Sequence, residues 1–207
     1  MTATERGHAA APSGSRVATP VTERFSEALA FADERHRDHR RKGTEIPYIS
    51  HLLAVAGIVL EFGGDEDAAI AALLHDAVED GKATAEEIRA RFGETVARVV
   101  GECSDTDQQP KPPWRARKEM YIAHLAHASD AALLVSAADK LHNARAILAD
   151  YRQVGDRLWA RFNKDADSLW YYRALVNAFR NTKAPVALID ELQRVVAELE
   201  CLTAKSG

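Results

Sequence analysis

Apolar positions in this chain recur at intervals of three and four residues, the spacing of helices. Phe25, Leu29 and Ala32 make the first such face, in a helical stretch that starts near Val21. The polar segment from Arg35 to Pro47, broken by Gly43 and Pro47, reads as a loop. A second helix runs from Ile49 to Phe62 and stops at Gly63-Gly64. The third, Glu66 to Asp80, follows Asp65 as a cap, and its stretch Ala68 to Leu74 is apolar on every side, so it belongs at the centre. Thr84 with Glu87 forms a capping box for a helix ending near Phe92-Gly93, and Glu94 to Val100 is a short helix. Cys103 to Pro113 reads as a loop, followed by helices over Trp114 to Ala128 and Ala131 to Leu148. After a turn at Gln153 to Asp156, Arg157 to Asn181 is mostly helical with a break near Asn163. Pro185 opens a last helix, whose stripe of Leu188, Leu192, Val195, Val196 and Leu199 serves packing within the chain or, alternatively, a homodimer surface.

No segment alternates with period two, and no internal repeat is visible. The expectation is an all-α protein: a flexible leader over residues 1–20, one domain of about nine or ten helices over 21–182, and a C-terminal helix over 183–207 packed on that domain.

Composition narrows the function. A net charge of −4 leaves no bulk basic excess for nucleic acid or an anionic membrane, though it allows a local basic pocket. The two cysteines, Cys103 and Cys201, are too few and too distant for a disulfide framework, which fits a reducing cytoplasm. No apolar run is long enough to span a membrane, so neither a membrane nor a nucleic-acid partner is expected.

Three polar elements break the helical pattern. In His75-Asp76-Ala77-Val78-Glu79-Asp80, charged groups follow directly on an apolar helix, which is costly unless they are paired or bind metal. His75 and Asp76 can offer a nitrogen and an oxygen to a divalent ion, while Glu79 and Asp80, one turn on, can orient or deprotonate water. The plain alternative is a solvated acidic helix end. His51 opens a helix after the basic loop Arg41-Lys42, and either reaches the metal or faces water. Asp139 follows the apolar run Ala131 to Ala138, with Asn143 one turn on, and lies either in a buried site or at a surface bend. His36 with His39, and His124 with His127, read as solvated pairs on helix faces. If His124 or His127 faced the site, a second metal would fit.

The order His, His-Asp, Asp on an all-helical chain resembles the HD superfamily of metal-dependent phosphohydrolases. Arg41-Lys42, Pro47-Tyr48-Ile49-Ser50-His51, His75 to Asp80 and Ala138 to Asn143 resemble, more narrowly, the hydrolase domain of the Rel/Spo family, as in small alarmone hydrolases, over about Phe25 to Phe179. The resemblance implies one Mn²⁺ ion held by His51, His75, Asp76 and Asp139, with Glu79 and Asp80 activating water and moving protons. It implies a nucleotide substrate, guanosine tetra- or pentaphosphate, losing its 3′-pyrophosphate. Asn143, Arg41 or Lys42, and Tyr171 or Tyr172 match residues that contact the nucleotide, and Asp105 falls near a further segment of the family. Lys140, Arg145, Arg157, Arg161 and Lys164 are candidates for the remaining phosphate charge, with Lys164 the choice among them, and Lys111 to Lys118 is a candidate phosphate loop. Thr44-Glu45-Ile46, Leu52 and Gly101 to Asp105 depart from the family pattern. Two alternatives therefore stand beside the alarmone: another nucleotide (a nucleoside monophosphate or a 2′-phosphorylated nicotinamide cofactor), or a non-catalytic nucleotide sensor.

Overall fold

The computed structural model describes residues 20–104, 112–162 and 167–204. The leader, Asp105, Lys111 and Lys164 lie outside the described residues. Among those described, nine α-helices follow one another: α1 Glu23–His36, α2 Ile49–Glu61, α3 Glu66–Leu74, α4 Ala85–Phe92, α5 Glu94–Cys103, α6 Trp114–His124, α7 Asp130–Val154, α8 Ser168–Arg180 and α9 Val186–Ala204. Short 3₁₀ turns, Leu125–His127 and Gly155–Arg161, follow α6 and α7. No strand occurs among the described residues, so the all-α expectation holds.

Local chemistry sets most helix starts. Asp65, Thr84, Ser129 and Asp167 each accept a backbone N–H with their side chains at the head of α3, α4, α7 and α8. Only the accepting half of the expected box at Thr84 forms, because Glu87 pairs with Arg35 of α1. The inward face of α1 is Ala28, Phe31, Ala32 and His36, a turn beyond the stripe read from Phe25 and Leu29, which are partly buried.

Two boundaries differ from the sequence reading in ways that matter. Helix α3 stops at Leu74, six residues early, and residues 75–80 continue as turns, with Ala77 N donating to Leu74 O at 2.9 Å and Asp80 N to Asp76 O at 3.0 Å. The chain is drawn in tightly there: a Cβ at Gly81 would stand 2.8 Å from Ala77 O. Helix α7 runs to Val154 rather than Leu148, because Leu148 and Tyr151 find a second small apolar cluster with Leu158 and Leu199. It breaks only at Gly155, with φ of 59°.

Helix α3 is the axis. Ala68 to Leu74 are all buried, and α3 packs on α1, α2, α5 and α7. Helix α9 closes the far side against α7 and α8, and Leu188, Ile189, Leu192, Val196 and Leu199 are buried there, so its stripe is used within the chain. Among the described residues, no helix is long and apolar enough to cross a membrane.

Leu73, fully buried in α3, tests the central role of this helix. Leu73→Ala is expected to lower unfolding stability by about 3 kcal/mol, the usual cost of such a cavity, as measured by urea denaturation. A loss under about 1 kcal/mol would mean that the core refills around α3.

Candidate active site

The polar elements converge on one cavity of about 290 Å³. The basic loop before α2 closes on itself, with Arg41 N donating to Ile46 O at 2.9 Å and Tyr48 N to His39 O at 3.0 Å. Gly43 turns it at φ of 72°, pressed so close to Arg161 that a Cβ would lie 2.8 Å from Arg161 Cδ. This closure delivers Tyr48 to the head of α2 and buries His51 in its first turn. His75 terminates α3, Asp76 begins the turns after it, and Asp139 lies buried midway along α7.

His51 Nε2 is 3.2 Å from Asp139 Oδ1 and 3.8 Å from Asp76 Oδ2. His75 Nε2 is 3.1 Å from Asp76 Oδ2 and 3.8 Å from Asp139 Oδ1. Donor atoms of His51, His75 and Asp76 all lie within 4.8 Å of one another. Two nitrogens and two carboxylate oxygens suit a borderline to hard divalent cation. His75 Nδ1 donates to Ala72 O at 2.8 Å, which points Nε2 at the carboxylates. That buried Nε2 makes no well-formed hydrogen bond despite its acidic neighbours, as fits a nitrogen directed at an ion between them.

Each donor is held from behind. Tyr48 Oη donates to Asp76 Oδ2 at 2.6 Å. Lys140 Nζ donates to Asp139 Oδ2 at 2.6 Å, and Asn143 Nδ2 donates to Asp139 Oδ1. Asn143 in turn accepts from Arg41 Nη2 at 2.6 Å. His51 Nδ1 and His142 Nδ1 are 2.7 Å apart. Burial, with the charges of His51 and Arg41 nearby, pushes His142 down to about 4, so it is neutral and can accept a proton from His51 Nδ1, leaving the His51 Nε2 lone pair for an ion. Tyr48 and His142 stand three residues from His51 and Asp139, one helical turn away, and that spacing is the sequence signal that could have marked them.

The charges explain why the donors stay together. Burial alone would neutralise His75, but Asp76 and Asp139 outweigh it and hold the imidazolium well above the ordinary histidine range. Burial likewise opposes ionisation of Asp139, and Lys140 with the two histidines overrides it and holds the carboxyl well below its ordinary value. His51 is pushed down by burial.

Glu79, Asp80, Asn143 and Tyr171 line the cavity with Tyr48, His75, Asp76 and Asp139. The sequence reading misses Tyr121 and Cys103 in this wall and names Arg117 and Lys118 only as part of a candidate phosphate loop; the structure places both in the wall, on the helix expected from Trp114. Burial pushes the Cys103 thiol up to about 11, so it stays protonated and is no nucleophile. Lys42 is not in the wall, and its ammonium lies over Phe162, 5.6 Å from the ring centroid. Of the spare cations named, Lys140 is committed to Asp139 and Arg161 to Asp150. His124 and His127 are exposed at the end of α6, away from the wall, which removes the basis for a second metal there. His36, expected in solvent, is buried, stacked on Tyr48 with ring centroids 5.1 Å apart and bonded to His39 at 3.0 Å.

Two outcomes follow. The acidic neighbours of His75 favour its imidazolium, so binding of a divalent ion at pH 7 should release about one proton, read as buffer-dependent enthalpy in calorimetry. Absence of release would take His75 out of the ligand set. His142→Phe, which keeps a ring but loses the nitrogen, should weaken Mn²⁺ binding by about 10- to 100-fold with little change in melting temperature.

Known proteins are similar to this chain in sequence and in fold. The HD-domain family profile matches residues 28–167. The guanosine-3′,5′-bis(diphosphate) 3′-pyrophosphohydrolase MESH1 of Xenopus tropicalis is 47% identical over 122 residues, 58% of this chain and 66% of that protein. The protein of the same name from Danio rerio is 37% identical over 175 residues, 83% of this chain and 92% of that protein. A solved structure described as a metazoan ortholog of SpoT that hydrolyses ppGpp superposes with a TM-score of 0.71 at 30% identity, covering 88% of this chain and 98% of that one. The protein therefore belongs to the HD-domain family, among its MESH1- and SpoT-like members.

Proposed function

We propose that this chain is a metal-dependent hydrolase that removes the 3′-pyrophosphate of guanosine 3′,5′-bis(diphosphate). One observation carries the reading: the donors His75, Asp76 and Asp139, a separate carboxylate pair, Glu79 and Asp80, and the cations Arg117, Lys118 and Lys140 line a single cavity. The printed activity of the Danio rerio relative, matched over 92% of its length, supplies the substrate.

His51, His75, Asp76 and Asp139 are the ligands of this reading, and Mn²⁺ is the ion, in keeping with mixed imidazole and carboxylate donors. Such an ion supplies Lewis-acid stabilisation of phosphoryl charge and lowers the pKa of water. Tyr48 and Lys140 hold the two aspartates so that each presents a fixed oxygen. Glu79 and Asp80 accept the proton of the attacking water and return one to the nucleoside 3′-oxygen as the diphosphate departs. Arg41, held by Asn143, and Tyr171 orient the nucleoside, while Lys164 serves the outer phosphates. A cavity of about 290 Å³ suits the phosphate end and ribose, which leaves the base outside it.

The experiment is a substrate panel with Mn²⁺. Pyrophosphate and guanosine diphosphate should appear from the tetraphosphate, and chelation should abolish and Mn²⁺ restore the activity. Asp76→Asn should remove activity together with metal binding. Glu79→Gln and Asp80→Asn should each lower kcat by about 100-fold or more while metal binding stays intact. Orthophosphate release from a nucleoside monophosphate or a 2′-phosphorylated nicotinamide cofactor, with the tetraphosphate untouched, would sink the substrate assignment, and metal binding with no turnover at all would favour a sensor.

A further inference from the structure

Helix α6 has its charges on the wrong side for an ordinary amphipathic helix. Trp114, Arg117, Lys118 and Tyr121 fall at i, i+3, i+4 and i+7, the positions that normally carry an apolar inward stripe. The two middle places are cations, both half-buried and both in the cavity wall, while Arg115 of the same helix turns outward over Trp170, 3.2 Å from its ring centroid. Turning two cations toward a cavity raises its affinity for anions, and partial burial strengthens that attraction. An aromatic neighbour holds Lys118 in place, its ammonium lying 5.1 Å from the Tyr171 ring centroid.

The charge balance says which anion. Four carboxylates and three cations line the cavity, so a divalent ion bound among them makes the lining net positive by one. The third cation, Lys140, is bound to Asp139 at 2.6 Å and is committed to the metal end. Arg117 and Lys118 belong to a different helix from any of the four ligands and line the same cavity. A single phosphoryl group at the ion stays at the metal end, whereas a diphosphate has a second phosphoryl group to reach α6. We infer that Arg117 and Lys118 form a clamp for the distal phosphoryl group and make this site select a diphosphate over a monophosphate. The inference rests on the phosphate-hydrolase reading of the cavity, but not on which nucleoside carries the phosphates.

The test uses the whole protein with Mn²⁺ bound, titrated with inorganic pyrophosphate (as its Mn²⁺ salt) and with orthophosphate. Wild type should hold pyrophosphate at least tenfold tighter than orthophosphate, roughly the size of one charge-assisted contact. Arg117→Gln and Lys118→Gln should each lose about tenfold in pyrophosphate affinity and under about threefold in orthophosphate affinity. Arg115→Gln, on the outward face of the same helix, should change neither, and Lys118→Arg should recover most of the loss. Equal affinity of the wild type for the two anions overturns the clamp without any variant being needed. So does unchanged pyrophosphate affinity in both Gln variants, or a matching loss in Arg115→Gln. If guanosine tetraphosphate is not turned over but pyrophosphate selectivity still follows Arg117 and Lys118, the substrate assignment falls and the clamp stands. If the tetraphosphate is turned over briskly and the Gln variants bind pyrophosphate as the wild type does, the clamp falls and the substrate assignment stands.

Discussion

Asp76 and Asp139 have to remain ionised within a few ångströms of each other in the middle of a helical bundle, and much of this molecule is arranged to allow it. Buried like charges of this kind repel and shed their charge unless cations and hydrogen bonds answer them. Here Lys140 and Asn143 answer Asp139, Tyr48 answers Asp76, and the His75 imidazolium stands between the two. In the proposed metal site a divalent ion would take the place of that imidazolium charge.

The scaffold meets this demand with few parts. The apolar α3 ends just where the chain must become polar, and the tight turns after it carry Asp76, Glu79 and Asp80 to the cavity wall. The long α7 contributes Asp139, Lys140, His142 and Asn143 from consecutive turns, so one rigid element holds a donor, its counter-charge and two orienting groups. The hairpin-like loop ahead of α2 contributes Tyr48 and Arg41. Thus three chain segments, far apart in sequence, steady one another's donors: Tyr48 before α2 holds Asp76, and His142 of α7 meets His51.

How much of this is legible in the sequence follows from the range of the forces involved. Helix starts are local, and Asp65 and Thr84 can be recognised as caps without knowing what lies next to them. The order of the motifs names four ligand candidates, and the structure brings those four side chains together. Helix ends are harder to read where tertiary contacts decide them: α7 outruns its expected stop because Tyr151 meets Leu158 and Leu199. His36 shows the same limit, since nothing in its neighbours along the chain announces that Tyr48 will cover it. Lys42 adjoins Arg41 in sequence, which suggests a shared role, yet Phe162 takes its side chain elsewhere. Arg117 and Lys118 follow a proline-bearing stretch that suggests a loop, and only the observed face of α6 puts them in the cavity wall.

The relay from Arg41 through Asn143 to Asp139 couples the two ends of the cavity. Asn143 gives its carbonyl to one side and its amide to the other, so the rim and the metal end share a single side chain. Whatever engages the Arg41 guanidinium alters the hold on Asn143, and through it the angle at which Asp139 presents its oxygen. The loop ahead of α2 and the carboxylate in α7 are therefore not separable modules in this protein. A loop exchanged into positions 41–46 would shift Asp139 as well, and change in that loop is constrained by a side chain two hydrogen bonds away.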